Sequence, residues 1–251
     1  VTGTGAGASS INGLSDCLVE NSSIWLGNDP SGTTSTAQYN VAIGATALDA
    51  ITTGDANIAI GSNAGGALTS GSNAIYIGKD AGKVHDTGVG NIAIGTGAMD
   101  DTDGGNGTAL GSIENVFIGT NSGGGSWQGN TVNQYNMGVG HESMANDMTG
   151  GNYNHCFGYY AGNLITSGDN NAFFGSFAGD NCTTGSNNIC IGYGTDPASV
   201  SQNNGIVLGE SITSATGVFS FGYASNQVST SFTSSVSWSG GSDERKKRNI
   251  E

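Results

Sequence analysis

Proline and positive charge are what this 251-residue chain has least of. It contains two prolines against 45 glycines, a balance unusual for a globular enzyme. Charged residues make up only 10%, so the surface must be built from Ser, Thr, Asn and Gly, as suits a rigid external body better than a cytosolic domain. Through residue 241 the only cations are Lys79 and Lys83, set against 17 acids. That field repels phosphate backbones and argues against nucleic-acid binding. No arginine precedes Arg245, which excludes sialidase chemistry, where arginines cluster on a substrate carboxylate. No apolar run reaches membrane-spanning length, so no membrane insertion is expected. No secretion signal is visible either; the chain opens at Val1 and reads as a fragment or processed form.

Glycine density alone would suggest flexible chain, but here the glycines are phased. The phrase Asn57-Ile58-Ala59-Ile60-Gly61 recurs with its final glycine at Gly27, Gly44, Gly61, Gly78 and Gly95. After irregular copies at Gly111 and Gly119 it resumes at Gly140, Gly158, Gly175, Gly192 and Gly209. A fixed period of 17 residues is the mark of stacked repeats.

Within a repeat the residue before the glycine is apolar (Ile43, Ile60, Ile77, Ile94, Val139, Phe157), and so is the one two further back (Val41, Ile58, Ile75, Ile92). This alternation predicts a β-strand with those side chains on one buried face. The intervening position is also apolar or small (Ala42, Ala59, Tyr76, Ala93, Phe117, Cys156, Phe173), so both faces must be covered. One is expected to line a coil and the other, the Ala/Cys/Phe position, a shared axis between identical chains. Cys156 and Cys190 fall at that position and read as small apolar residues rather than a disulfide or metal site. An Asn usually precedes the strand (Asn40, Asn57, Asn91, Asn115, Asn136, Asn154); it either forms an amide ladder or accepts a left-handed turn conformation. Two short strands and two turns per repeat predict an all-β parallel β-solenoid of about 11 coils, roughly 55 Å long at ~4.8 Å per rung.

The expected organisation is a lead-in over 1–23, a repeat shaft over 24–222 with an irregular insert at 96–139, a β stalk over 223–241 and a charged end over 242–251. Long loops on a regular rod are where binding is usually placed. In the insert, Asp101, Asp103 and Asn106 have the ligand types of a calcium turn but lack the bidentate Glu of a helix-loop-helix site; calcium is thus a possible cofactor and no other is implied. Trp127 and Gln128, with Tyr159 and Tyr160, are candidate receptor contacts, although packing against the rod is the more natural reading of Trp127. His85, His141 and His155 are too scattered for a metal cluster.

The terminal phrase Ser242-Asp243-Glu244-Arg245-Lys246-Lys247-Arg248-Asn249-Ile250-Glu251 resembles the opening of the endosialidase-type intramolecular chaperone domain at the ends of phage tail spikes and fibres. The Asn-x-Ala-Ile-Gly-x-x-Ala-Gly repeats resemble those upstream of it in phage and marine-virus tail-fibre proteins, and also the head repeats of trimeric autotransporter adhesins. The resemblance implies a homotrimer whose chaperone domain is released by a Ser/Lys pair; here Ser242 would be the nucleophile and Lys247 the general base. The remainder of that domain does not follow, so self-cleavage would belong to a longer precursor. The expected function is a structural and adhesive tail-fibre shaft on the outside of a virion, partnered by itself, by other tail proteins and by a host surface glycan or protein. The alternatives are a polysaccharide depolymerase using two carboxylates and a bacterial surface filament or adhesin.

Overall fold

The computed structural model describes residues 17–27, 32–102, 111–127, 132–233 and 239–240. They form an all-β parallel solenoid of about 11 turns. The chain enters through β1 (Cys17–Glu20) and β2 (Ser23–Leu26), an antiparallel hairpin whose turn residues Asn21 and Ser22 both take positive φ. Three-residue strands then follow once per turn: β3 (Val41–Ile43), β4 (Ile58–Ile60), β5 (Ile75–Ile77), β6 (Ile92–Ile94), β7 (Val116–Ile118), β8 (Met137–Val139), β9 (His155–Phe157), β10 (Ala172–Phe174) and β11 (Ile189–Ile191). Beyond a two-residue strand β12 (Asp196–Pro197), the sheet continues through β13 (Ile206–Glu210), past β14 (Thr213–Ser214), to β15 (Val218–Tyr223). Two antiparallel strands, β16 (Asn226–Ser231) and β17 (Ser239–Gly240), complete a 15-stranded sheet.

Register is constant: Ile43 pairs with Ile60, Ile60 with Ile77 and Ile77 with Ile94. The ladder runs straight through the insert, Ile94 to Ile118 to Val139, because the added residues leave the strand column untouched. Gly119 occupies the anchor column there; Gly111 does not, and lies against Thr87 and Gly88 instead. Each anchor glycine rests on the next one's carbonyl. A Cβ on Gly44 would stand 2.6 Å from the Gly61 oxygen, and its φ of +133° disfavours L side chains in any case.

One expectation is inverted. Ala42, Ala59, Tyr76, Ala93, Phe117, Cys156, Phe173, Cys190 and Val207 are fully buried inside the coil, while the flanking Ile, Val, Leu and Phe residues point outward. The middle residue of a three-residue strand has one inward position to itself, and its two neighbours must project to the other side. The expected second strand per coil is also missing for most of the rod. Turns close the rest of each coil, where the described residues show only the β12–β14 pair and, three residues ahead of β6, β7 and β8, bridges from Ile113 to Val89 and Gln134.

Core volume is balanced turn by turn. Where the inward strand residue is large, the fourth residue after the anchor is glycine: Tyr76 with Gly82, Phe117 with Gly123, Phe173 with Gly179, each glycine lying against the ring. In three turns where it is small that place is filled: Ala42 with Leu48, Ala93 with Met99, Gly138 with Met144, all buried; beside Ala59 it is Gly65 instead, which leaves room for the Tyr76 ring of the next turn. Such compensation keeps the interior at native density without changing the backbone.

Beside the apolar core runs an amide ladder. Asn57 donates its backbone N–H to Asn40 Oδ1 at 2.9 Å and its Nδ2 to the Gly71 carbonyl at 2.9 Å. The pattern repeats from Asn91 through Asn115, Asn136, Asn154, Asn171 and Asn188, ending where Gly205 donates to Asn188 Oδ1. Left-handed backbone falls one residue earlier, at Tyr39, Ala56, Asn73, Tyr135, Tyr153 and Asn170. Both roles considered for this asparagine are therefore present, on neighbouring residues.

Candidate functional site

The outward face of the strands is the largest feature of the surface. Two side chains per rung face outward, exposed in the most open rungs (Ile58 and Ile60 on β4, Ile189 and Ile191 on β11, 36–40%) and half-buried in others such as β5 and β6. None of the paired positions from Val41 to Phe221 carries a formal charge, and His155 is the sole polar residue among them. The face is narrow, straight and repeats at the rung spacing, because parallel register stacks like on like.

At the edge of this face, just after the anchor glycines, lies an aromatic corner. His141 stacks on Tyr159 at 5.3 Å, Tyr160 stacks on Phe177 at 5.7 Å, and Phe177 meets Tyr193 edge-on at 5.8 Å. On the adjoining strands Phe157 and Phe174 are nearly parallel, 4.9 Å apart. Tyr160 hydrogen-bonds the Glu142 side chain, which chiefly, with burial second, pushes its phenol up to about 12. Tyr159 and Tyr160, singled out in the sequence, are thus brought together with three residues the sequence reading passed over: His141, Phe177 and Tyr193. The available signal was their spacing, since each falls one or two residues after an anchor glycine.

A second polar feature joins two adjacent turns. Asp180 and Asp196 are hydrogen-bonded to each other, and both carboxyls are raised. For Asp196 burial is the first cause and the Asp180 charge the second, taking it to about 7. Asn181 donates its backbone N–H towards Asp196 Oδ1 at 3.4 Å and its Nδ2 to the Pro197 carbonyl at 3.2 Å. One proton can therefore be held between two carboxylates near neutrality.

Trp127 is 2% exposed and packs edge-on against Phe117 at 5.6 Å, so its ring serves the rod and is closed to a sugar. Gln128 lies outside the described residues, as do Asp103 and Asn106 of the calcium candidates and both Ser242 and Lys247. Asp101 is described; its carbonyl accepts the Trp127 N–H at 3.2 Å. Among the described residues no three His, Cys, Asp or Glu side chains converge in a way that could hold a metal ion, and no helix is long and apolar enough to cross a membrane. The four cysteines form no disulfide, and burial pushes the thiols of Cys156, Cys182 and Cys190 upward, away from thiolate reactivity. His85, isolated in the sequence, is fully buried; its Nδ1 lies 3.0 Å from Thr102 Oγ1 and its Nε2 2.9 Å from Asn91 Nδ2. It completes the amide ladder in the one turn that begins with Ala74 instead of Asn.

Comparison with protein-family models, with curated proteins and with solved structures finds no match to this chain.

Proposed function

We propose that the chain is the shaft of a homotrimeric surface fibre, a structural and adhesive tail-fibre segment that projects from a virion and contacts a host receptor. The observation carrying this reading is the outward apolar face. Some twenty outward side chains, nine of them 36–46% exposed and most of the others half-buried, leave on the order of 1,000 Å² of contiguous apolar surface, about twice what a soluble monomer ordinarily shows. That is more than the ~800 Å² each partner contributes to a standard interface. The best-matched occupant is another copy of the same chain, because a face repeating at the rung spacing is complemented rung for rung by an identical face. Strong negative charge elsewhere on each copy would confine association to this one uncharged strip. The shared axis is then lined by the Ile positions, and the Ala/Cys/Phe positions remain inside each coil. Placement on a virion, the receptor contact and the trimeric count are supported by the resemblance of the repeats and of the 242–251 phrase to tail-fibre sequences.

Light scattering at micromolar concentration tests the reading. A mass near three times 25.0 kDa is expected, falling to one copy in the Ile60→Asp/Ile94→Asp variant with the far-ultraviolet spectrum retained. A wild-type mass of 25.0 kDa would overturn it.

A further inference from the structure

We propose that the aromatic corner formed by His141, Tyr159, Tyr160, Phe177 and Tyr193 is a binding platform for a linear, neutral carbohydrate. The proposal rests on the shaft reading and adds to it the place and chemical class of the receptor contact.

Backbone conformation is the first argument. Tyr160 and Phe177 both sit at φ +58°, at the second residue after the anchor glycine. In other turns the same left-handed position is held by Asn63, Asp80, Gly97, Asn121 and Gly194, the residue types that tolerate it, and by Thr46, Glu142 and Ser211, none of them aromatic. Bulky aromatics there cost conformational energy, and nothing in the coil interior requires them, because the inward positions of these turns belong to Phe173, Ala161 and Ala178. Strain accepted in two consecutive turns points to a use outside the core.

Surface chemistry is the second. Tyr159 and Tyr193 are 45% and 54% exposed, so ring faces and hydroxyl edges are presented together. A sugar ring offers the complementary pair, an apolar face of C–H groups and a rim of hydroxyls. The rungs advance by ~4.8 Å, close to the advance of one pyranose ring along an extended polysaccharide, so a periodic ligand would meet a periodic platform. Charge narrows the class. The corner contains no lysine or arginine and holds the Glu142 carboxylate, with His141 Nε2 3.8 Å from it, and the whole chain carries −14. Uronic and sialic polymers are therefore disfavoured relative to neutral hexose chains.

The test uses Tyr160→Asn/Phe177→Asn, since asparagine is at home at both φ values and this variant is expected to melt at or above the wild-type temperature. Wild type and variant are passed over an array of neutral linear hexasaccharides of glucose, galactose and mannose, with a hexauronate alongside. Retention of at least one neutral hexasaccharide by wild type, at least tenfold weaker in the variant, with the hexauronate retained by neither, supports the platform. No neutral sugar retained, undiminished retention by the variant, or preference for the hexauronate overturns it. Light scattering on the same samples separates the two readings. A variant that changes oligomeric mass would show the corner to be a subunit contact and overturn the platform, whereas a monomeric wild type overturns the shaft alone.

Discussion

Buried amides hold the turns of this rod together, and the Asn154 side chain makes four bonds, one of them from its Nδ2 to Asn136 Oδ1 at 3.1 Å. Asn154 Nδ2 donates to the Gly168 carbonyl at 2.8 Å, and its Oδ1 accepts from Asn171 N and Nδ2 at 3.1 and 2.9 Å. Replacing it with Ala leaves those partners unsatisfied away from water, and a loss of about 2–4 kcal/mol is expected in a denaturant melt. His85 gives the ladder a pH dependence. Burial lowers it to about 4, whereas the unfolded ring titrates near 6.5. Its contribution is complete above the unfolded value and is lost as pH falls towards 4, by about 3 kcal/mol in all. His85→Asn should flatten the acid limb of a Tm-against-pH curve; an unchanged limb would place the sensitivity elsewhere. The sequence showed His85 only as one of three scattered histidines. Its partner Asn91 is near in the chain, but Thr102 and Ser112 reach it only through coiling.

At the scale of the strand and its turn, period and register were legible and direction was not. Apolar residues on both sides of a three-residue strand give alternation no preferred inside. The clue lay in size. Outward positions are all Ile from Ile58 to Ile94 and again at Ile189, Ile191 and Ile206, while inward ones swing from Gly138 to Phe117, with a partner four residues after the anchor compensating in several turns. That pairing makes a quantitative expectation. Phe173→Ala should cost about 3–4 kcal/mol by opening a cavity, and adding Gly179→Met, which recreates the Ala93 and Met99 arrangement, should recover about 1–2 kcal/mol of it. A double variant no more stable than Phe173→Ala would refute the compensation. Of the aromatic corner the sequence pointed only to Tyr159 and Tyr160, and Trp127 was open to either role, because exposure depends on which side of the turn a ring leaves and spacing alone does not report that.

For the whole molecule, the two buried titrations oppose each other from different halves of the rod. Asp196 is raised to about 7 from an unfolded value of 3.8, so its folded form favours the proton. Stability is full below 3.8 and falls as pH rises through 7, by about 1–2 kcal/mol after allowing for partial solvent screening. Combined with the steeper loss at His85, this predicts greatest stability near pH 6.5, falling quickly in acid and slowly in base. Hydrogen exchange should open the turns around His85 first in acid and those around Asp196 first at pH 8, since a stacked rod unfolds by neighbourhoods. Asp196→Asn should abolish the alkaline loss; exchange that stays uniform along the rod at both pH values would contradict the account.

The unbroken strand column across turns of 24, 21, 18 and 17 residues has a consequence for how such a molecule can change over generations. Each turn adds one rung whatever the size of its outer loop, so reach is counted in whole repeats, like marks on a ruler. Duplicating or deleting a repeat would lengthen or shorten the rod by a fixed step without turning its outward apolar face, and loop tips could drift freely at constant length.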